Sequence, residues 1–205
     1  MDAEKAAEEL QAIRQLMQRP VRYSTMSGLS GILAGCASLA GVFADHAVTA
    51  AYWKQPARAV QINLLVWGAV FLTAFLASVI PTRLREARRG MPFWSEVKRR
   101  ILRTILLPFV AGVGLTAAIA YRWWIGDGPN MWGLIPSLWM CFYAVALWQV
   151  GLFSPVEVRL LGVAFLAAGL VTAVWFQTQP YWSLGVTFGG FHIVYGIAVW
   201  IRHGG

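Results

Sequence analysis

The sequence predicts an all-α fold, a polytopic membrane bundle of six transmembrane helices preceded by an N-terminal amphipathic helix. Hydrophobic residues make up 58% of the 205 residues and charged residues only 13%. A soluble domain carries about 25% charged residues, so too little polar surface remains here to cover a water-soluble globule. The charged residues are clustered between long apolar runs. Lipid is therefore the expected solvent for most of the surface.

Residues 1–20 predict a cytoplasmic amphipathic helix. Apolar residues from Ala6 to Met17 recur at i, i+4, i+7 and i+11 and form one narrow stripe. Acidic residues lie towards the start and arginines towards the end, an order that suits the helix dipole, and Pro20 stops the helix. Such a helix lies on the membrane surface, docks on a partner, or packs as an ordinary terminus. The sequence leaves these alternatives open.

Residues 21–205 predict a single transmembrane domain. A membrane helix needs about 20 largely apolar residues. The intervals between charged residues supply six such runs, at about 24–45, 60–80, 103–122, 132–150, 160–177 and 181–201. Pro81 is expected to end the second span. The interval from Leu160 to Ile201 carries no charge and is too long for one helix, so Gln177–Pro180 is expected to divide it into a hairpin.

The distribution of Lys and Arg predicts the orientation of the chain. Fourteen of the 17 fall on the side of the N-terminus, and three fall on the opposite side, namely Lys54, Arg58 and Arg122. The positive-inside rule then places both termini in the cytoplasm. Tryptophan gives an independent check, since indoles prefer the headgroup level of a membrane. Of the 11 tryptophans, only Trp67 and Trp139 lie in the middle of a predicted span.

The loop between the second and third spans is strongly basic. Eight basic residues accompany its two glutamates, Glu86 and Glu96. They are Arg83, Arg85, Arg88, Arg89, Lys98, Arg99, Arg100 and Arg103. Because these residues adjoin apolar spans, we expect them to contact the anionic lipid headgroups of the bilayer rather than nucleic acid. The alternative is a docking face for an acidic cytoplasmic protein partner.

Small residues repeat on one face of two predicted spans. They are Gly28, Gly31, Gly35 and Ser38 in the first span, and Gly185, Gly189 and Gly196 in the sixth, on the face that also carries His192. Lipid supplies no hydrophobic force between helices, so close backbone approach through such faces drives their packing. Pairing of the first span with the sixth is one hypothesis. The same faces also suit contacts between protomers of a homo-oligomer.

His192 is the main candidate for a ligand-binding site, because an ionisable side chain in mid-membrane is a functional hypothesis by default. It lies near the middle of the sixth span and is expected to point into the bundle. By depth, the candidates to join it are Tyr195, Cys141 and Tyr143, with Thr116 as a further neighbour. A structural hydrogen bond is the alternative role. The sequence has no second mid-membrane histidine to complete a haem site and no mid-membrane carboxylate to share a proton, so it predicts no cofactor and no metal site.

Three segments together resemble a family of uncharacterised bacterial six-helix integral membrane proteins. They are Ile13–Arg19 (IRQLMQR), Ser27–Gly35 (SGLSGILAG) and Phe191–Gly196 (FHIVYG). The resemblance covers essentially the whole chain and implies the bacterial cytoplasmic (inner) membrane. It also implies a sensing or regulatory role at the membrane, beside winged-helix transcriptional regulators. It brings no established activity and no catalytic residues.

These observations predict a non-enzymatic integral membrane protein, either a membrane-embedded ligand-binding sensor or a regulatory partner. The alternative is a small-solute transporter or channel. The sequence contains no P-loop, GxSxG or HExxH motif and no pair of carboxylates within a span, so no catalytic residue is predicted. At the outer rim, Asp45 is expected to form a salt bridge with a base such as Arg122.

Overall fold

A computed structural model of the chain describes residues 28–88, 96–126, 131–152, 154–175 and 180–203, together with Gly90 and Trp94. All secondary structure in these ranges is helical, and six helical segments are long and apolar enough to cross a membrane. The all-α fold with six spans is confirmed, and the protein is a multi-pass membrane protein. The predicted helix at residues 1–20, Arg89, and Gln177–Gln179 of the predicted hairpin lie outside the described residues.

Five of the spans are single helices, and their apolar side chains suit them to a lipid surrounding. They are α1 (Gly28–Ala51), α2 (Pro56–Arg88), α3 (Glu96–Trp124), α4 (Ile135–Val150), which follows a 3₁₀ turn at Trp132–Leu134, and α5 (Val156–Trp175). The sixth span, Tyr181–Arg202, combines three segments. These are α6 (Pro180–Leu184), a π-helical segment (Gly185–Phe191) and α7 (His192–His203). We call the end of the bundle that carries Arg88, Arg159 and Arg202 the basic end.

The sequence predicted that the second span ends at Pro81, but its helix does not end there. The helix α2 continues through Pro81 to Arg88. Proline lacks the N–H that would bond to the preceding turn, but lipid offers no water to compete for the remaining backbone bonds. The hydroxyls of Ser78 and Thr82 donate to carbonyl oxygens one turn earlier, at 2.9 and 2.8 Å. Helix therefore remains the favoured conformation on both sides of the proline.

The six spans pack as two groups of three. The first group is α1 with α2 on one side and the sixth span on the other, and the second is α4 with α3 and α5. The sixth span joins the groups because it also touches α4 and α5. Between α2 and α3, the Phe71 and Phe109 rings meet at 5.4 Å, and Lys98 pairs with Glu86. Among the described side chains of α2, only Ala59 and Glu86 are buried, so most of this helix faces lipid.

The interface between α1 and the sixth span brings backbone into direct contact with backbone. A Cβ placed on Gly35 would lie 2.6 Å from the Gly189 carbonyl oxygen, and one on Gly196 would lie 2.6 Å from the Ile32 nitrogen. Real Cβ atoms do not approach backbone so closely, so only glycine permits this separation. The two predicted small-residue faces therefore pack against each other, with the helices antiparallel.

The interface between α4 and α5 is filled by side chains. Met140 and Phe165 have no exposed surface, and Val158 is 1% exposed. Gly169 lets the helices approach, since a Cβ there would stand 3.0 Å from both Met140 Cβ and Cys141 Sγ. The buried core of the protein lies here, and it continues towards the sixth span through Tyr143.

Candidate functional site

Five rings from three spans meet where the sixth span contacts α4 and α5. This aromatic cluster consists of Tyr143, Phe165, Phe188, Phe191 and His192. Phe165 is at its centre, with ring centroids 4.9 Å from Tyr143 and Phe188 and 5.4 Å from His192. Most of these pairs are tilted or edge-on, as aromatic rings prefer. The sequence did not point to Phe165 or Phe188; the only available signal was the i, i+4 spacing of Phe188 and His192.

His192 contributes differently through its backbone and its side chain. Its carbonyl oxygen lies 3.1 Å from the position of a Cβ on Gly31, so the backbone belongs to the glycine face against α1. Its ring reaches the other way, into the aromatic cluster, where it stacks on Phe188 with an interplanar angle of 14°. The predicted inward direction of the side chain is therefore observed, but its contacts are with α4 and α5.

The imidazole makes one hydrogen bond and lacks a second. Its Nε2 lies 2.8 Å from the Tyr143 hydroxyl oxygen. Its Nδ1 is buried and has no hydrogen-bond partner in the described part of the chain, although the carbonyls of Thr187 and Phe188 lie nearby. If the tyrosine O–H donates to Nε2, then Nδ1 carries an unused proton; if Nε2–H donates, Nδ1 is an unused acceptor. In either tautomer Nδ1 makes no hydrogen bond within the described residues, and apart from these two carbonyls its surroundings are aromatic rings.

The π-helical segment Gly185–Phe191 directly precedes this histidine. Its wider turn weakens the regular backbone bonding, and π-helical turns are found frequently at functional sites. Gly185, Gly189 and Gly190 reduce the side-chain crowding that would oppose such a turn. The Thr187 hydroxyl donates to the Ser183 carbonyl at 2.7 Å and reinforces it. The sequence signalled glycine richness here but not the change of helix type.

The other predicted companions of His192 lie at different distances from it. Tyr195, one turn further along α7, packs against the core of α4 and α5. The Cys141 sulfur faces α5 beside Gly169. The Thr116 hydroxyl oxygen accepts a hydrogen bond from the Trp139 N–H, between α3 and α4. The structure thus brings Tyr143 to the histidine, places Tyr195 against the same core, and places Cys141 and Thr116 in other helix interfaces.

The two mid-span tryptophans each find an acceptor on a neighbouring helix. Trp139 donates to the Thr116 hydroxyl oxygen at 3.0 Å, and its ring fits against Gly112, where a Cβ would lie 3.2 Å away. Trp67 donates to Asp45 at 3.2 Å. These bonds explain why two indoles tolerate positions away from the membrane surface.

The expected salt bridge between Asp45 and Arg122 is wrong. The helix α1 extends to Ala51, so Asp45 lies within it and faces α2, where the Trp67 N–H reaches it. One turn nearer the loop, the Asn63 amide donates to Thr49 at 3.1 Å. The half of the α1–α2 interface away from the basic end is therefore held by hydrogen bonds between neutral donors and their acceptors, not by an ion pair.

The predicted partner-binding or lipid-binding arginines are only partly available on the surface. Lys98 pairs with Glu86, which is 1% exposed, and Arg99 pairs with Glu96 at 2.8 Å. Arg88, Arg100 and Arg103 are exposed, whereas Arg83 is half-buried. Of Arg85 only the backbone is described, and Arg89 lies outside the described residues. The Lys98–Glu86 pair ties α2 to α3, which makes Lys98 a structural residue.

Within the described ranges, no three His, Cys, Asp or Glu side chains come together as a metal ion would require. The His192 imidazole, bonded to the Tyr143 hydroxyl, is therefore described as a hydrogen-bonding site. Comparison with known proteins adds no homology to this picture, since no family model, no curated protein and no solved structure matches the chain.

Proposed function

We propose that this protein is a non-enzymatic membrane sensor that binds a small neutral molecule inside its helix bundle, at His192. The observation that carries the proposal is the buried Nδ1 atom without a hydrogen-bond partner. More than nine in ten buried polar groups in proteins are paired, so each exception calls for an explanation. A bound ligand that supplies the missing donor or acceptor explains why this nitrogen has no partner within the protein.

The surroundings of Nδ1 define the class of ligand. Phe165, Phe188 and Tyr143 surround the imidazole with aromatic carbon. A charged ligand would lose its hydration here without gaining a counter-ion. An apolar or aromatic body with one hydroxyl, amide or carbonyl group would instead pair with Nδ1 and pack against the rings. The chemistry favours a lipid-like or small aromatic molecule that partitions into the membrane.

The basic end supports a regulatory output. Arg88, Arg100 and Arg103 are exposed there, and the positive-inside rule supports our proposal that this end faces the cytoplasm, in the bacterial inner membrane. Exposed arginines suit an acidic protein surface, which agrees with the regulatory role implied by the family resemblance. We propose that ligand occupancy at His192 is transmitted along α7, since the last turn of the same helix carries Arg202, which pairs with Glu157 at 2.7 Å.

A small-solute transporter is the second candidate, favoured by the irregular sixth span. Transporters often place their sites at the bilayer midplane on discontinuous helices, and the π-helical segment beside His192 is an interruption of this kind. Uptake measured in proteoliposomes distinguishes the two functions. Saturable flux that is lost in His192→Phe supports a transporter, and binding without flux supports a sensor.

The binding site can be tested with protein purified from native membranes in a mild detergent. Organic extracts are compared by mass spectrometry for the wild type, His192→Phe and Tyr143→Phe. His192→Phe keeps the ring volume and removes both nitrogens, whereas Tyr143→Phe keeps Nδ1. We expect a small neutral molecule in the wild type and in Tyr143→Phe, and its loss in His192→Phe. Identical extracts from all three proteins would show that the site is assigned wrongly.

A further inference from the structure

A shallow groove runs along the outer surface of the α4–α5 pair, away from the aromatic cluster. Its volume is about 400 Å³. The floor is made by two small residues, Ala144 and Gly162, whose helices are so close that a Cβ on Gly162 would lie 3.1 Å from the Ala144 carbonyl oxygen. Larger side chains rise on both sides and form the walls. They are Val145 and Trp148 from α4 and Val163 and Leu166 from α5.

The walls show that the groove faces the membrane. Trp148 and Val163 are each 50% exposed, and the other two wall residues are exposed to a similar degree. From Arg159 to Leu166 the helix rises by roughly 10 Å, which is part of the depth of one lipid leaflet. The groove therefore has the length and the apolar lining for the upper part of one acyl chain in the leaflet at the basic end.

An arginine stands at the basic end of this groove. Arg159, Gly162, Val163 and Leu166 are spaced i, i+3, i+4 and i+7, so they lie on one stripe of α5. A Cβ on Gly151 would collide with the Arg159 side chain, so the aliphatic part of the arginine lies against the turn that joins the two helices.

The charge of Arg159 is not matched by a carboxylate in the described part of the chain. Its Nε atom is buried and has no hydrogen-bond partner there. The acid in the same helical turn, Glu157, pairs instead with Arg202 at 2.7 Å. The two terminal nitrogens of a guanidinium present parallel donors, a geometry that fits the oxygens of a phosphate.

We propose that this groove binds one anionic phospholipid, with an acyl chain between Trp148 and Val163 and the phosphate at Arg159. A phospholipid is the ligand that combines the two requirements of the site, an apolar chain and an adjacent anion. The leaflet at the basic end supplies it, because basic loops adjoin anionic headgroups. Trp148 and Gln149, near the end of α4, also line the groove, and an indole at the end of a span prefers the headgroup level. The site is separate from the His192 site and does not depend on the proposed sensor function.

The proposal can be tested by native mass spectrometry of the full chain in detergent. The probes are dioleoyl phosphatidylglycerol, dioleoyl phosphatidylcholine, and inorganic phosphate as a competitor. Arg159→Gln removes the cation, and Val163→Phe fills the groove from an exposed wall position. Arg58→Gln is the control, since Arg58 is an exposed arginine at the opposite end of the bundle. Size-exclusion profiles and thermal unfolding establish that each variant is folded.

We expect the wild type to bind phosphatidylglycerol about tenfold more tightly than phosphatidylcholine, a preference lost in Arg159→Gln and kept in Arg58→Gln. Val163→Phe should weaken both lipids by several-fold and keep the preference, and it provides the test if Arg159→Gln fails to fold. Equal binding of the two lipids by the wild type would overturn the proposal. So would an equal loss in Arg58→Gln, or displacement of the lipid by inorganic phosphate alone. A wild-type dimer that Val163→Phe dissociates would show instead that the groove is an interface between copies.

Discussion

The face of the sixth span that meets α1 and the face that meets α4 and α5 differ in what occupies the space between helices. Against α1, backbone touches backbone at Gly35 and Gly196, and side chains such as Leu39 and Ile193 lie beside these contacts. Against α4 and α5 the space is filled by large rings centred on Phe165. In lipid, apolar side chains gain little from leaving the solvent, so both faces depend on close contact rather than on hydrophobic burial. The face against α1 loses contact when atoms are added to its glycines. The face against α4 and α5 loses contact when atoms are removed from its rings.

The largest expected effect comes from adding one methyl group to the glycine face. In Gly196→Ala the new Cβ would lie 2.6 Å from the Ile32 nitrogen, which cannot move without separating the helices. We expect the free energy of unfolding in detergent to fall by about 3 kcal/mol. Gly114→Ala is the control, because a Cβ there meets nothing within 4 Å, and it should be near neutral. Equal stability of the two variants would contradict the backbone contact.

The second effect comes from removing atoms on the aromatic face. Phe165→Ala takes away the central ring of the cluster, which has no exposed surface. In a water-soluble protein such a change lowers the free energy of unfolding by a larger amount, because the ring is also transferred out of water on folding. In lipid that transfer contributes little and mainly the lost contacts count, so we expect the free energy of unfolding to fall by about 2 kcal/mol. The control is Phe43→Ala, since Phe43 is 69% exposed to lipid. A cavity at Phe165 that costs no more than the change at Phe43 would mean that the cluster does not stabilise the bundle.

The smallest effect concerns the hydrogen bond within the aromatic face. Tyr143→Phe leaves the His192 Nε2 without its partner at 2.8 Å, and His192→Phe leaves the tyrosine hydroxyl unpaired. Each should lower the free energy of unfolding by about 1 kcal/mol, as for other hydrogen bonds between membrane helices. The double variant removes both polar groups and should be at least as stable as either single one. Tyr121→Phe, at a residue 65% exposed, controls for the loss of a hydroxyl. Additive losses would show that the two groups are not coupled.

The glycine face could be predicted from the sequence because glycine acts here through the absence of a side chain. The spacing of Gly28, Gly31 and Gly35 shows by itself that one side of a helix is bare. The six spans were likewise predictable, since each depends on its own composition and length. The predicted pairing of the first and sixth spans needed only two such faces in one chain.

Contacts between helices distant in sequence were not predictable in the same way. The Tyr143–His192 bond joins residues 49 positions apart, and no local pattern fixes the rotation of two helices about their axes. The pairing of Asp45 with Trp67 was missed for the same reason, and an ion pair was expected because charge alone guided the choice. The prediction that the helix of the second span ends at Pro81 was wrong because the rule for proline comes from helices in water. There, water can bond to the carbonyl that the proline leaves without a partner.

The pairing of α1 with the sixth span has a consequence for the order of synthesis. The ribosome releases α1 long before residues 181–202, so the glycine face must remain in lipid while four further spans are inserted. During that interval α1 can pack only against α2, its other neighbour. Domains generally form as units during synthesis, and here the group of α1, α2 and the sixth span cannot close until the last described helix arrives. A chain halted before residue 181 would expose the bare backbone of α1 to any other helix with a similar surface.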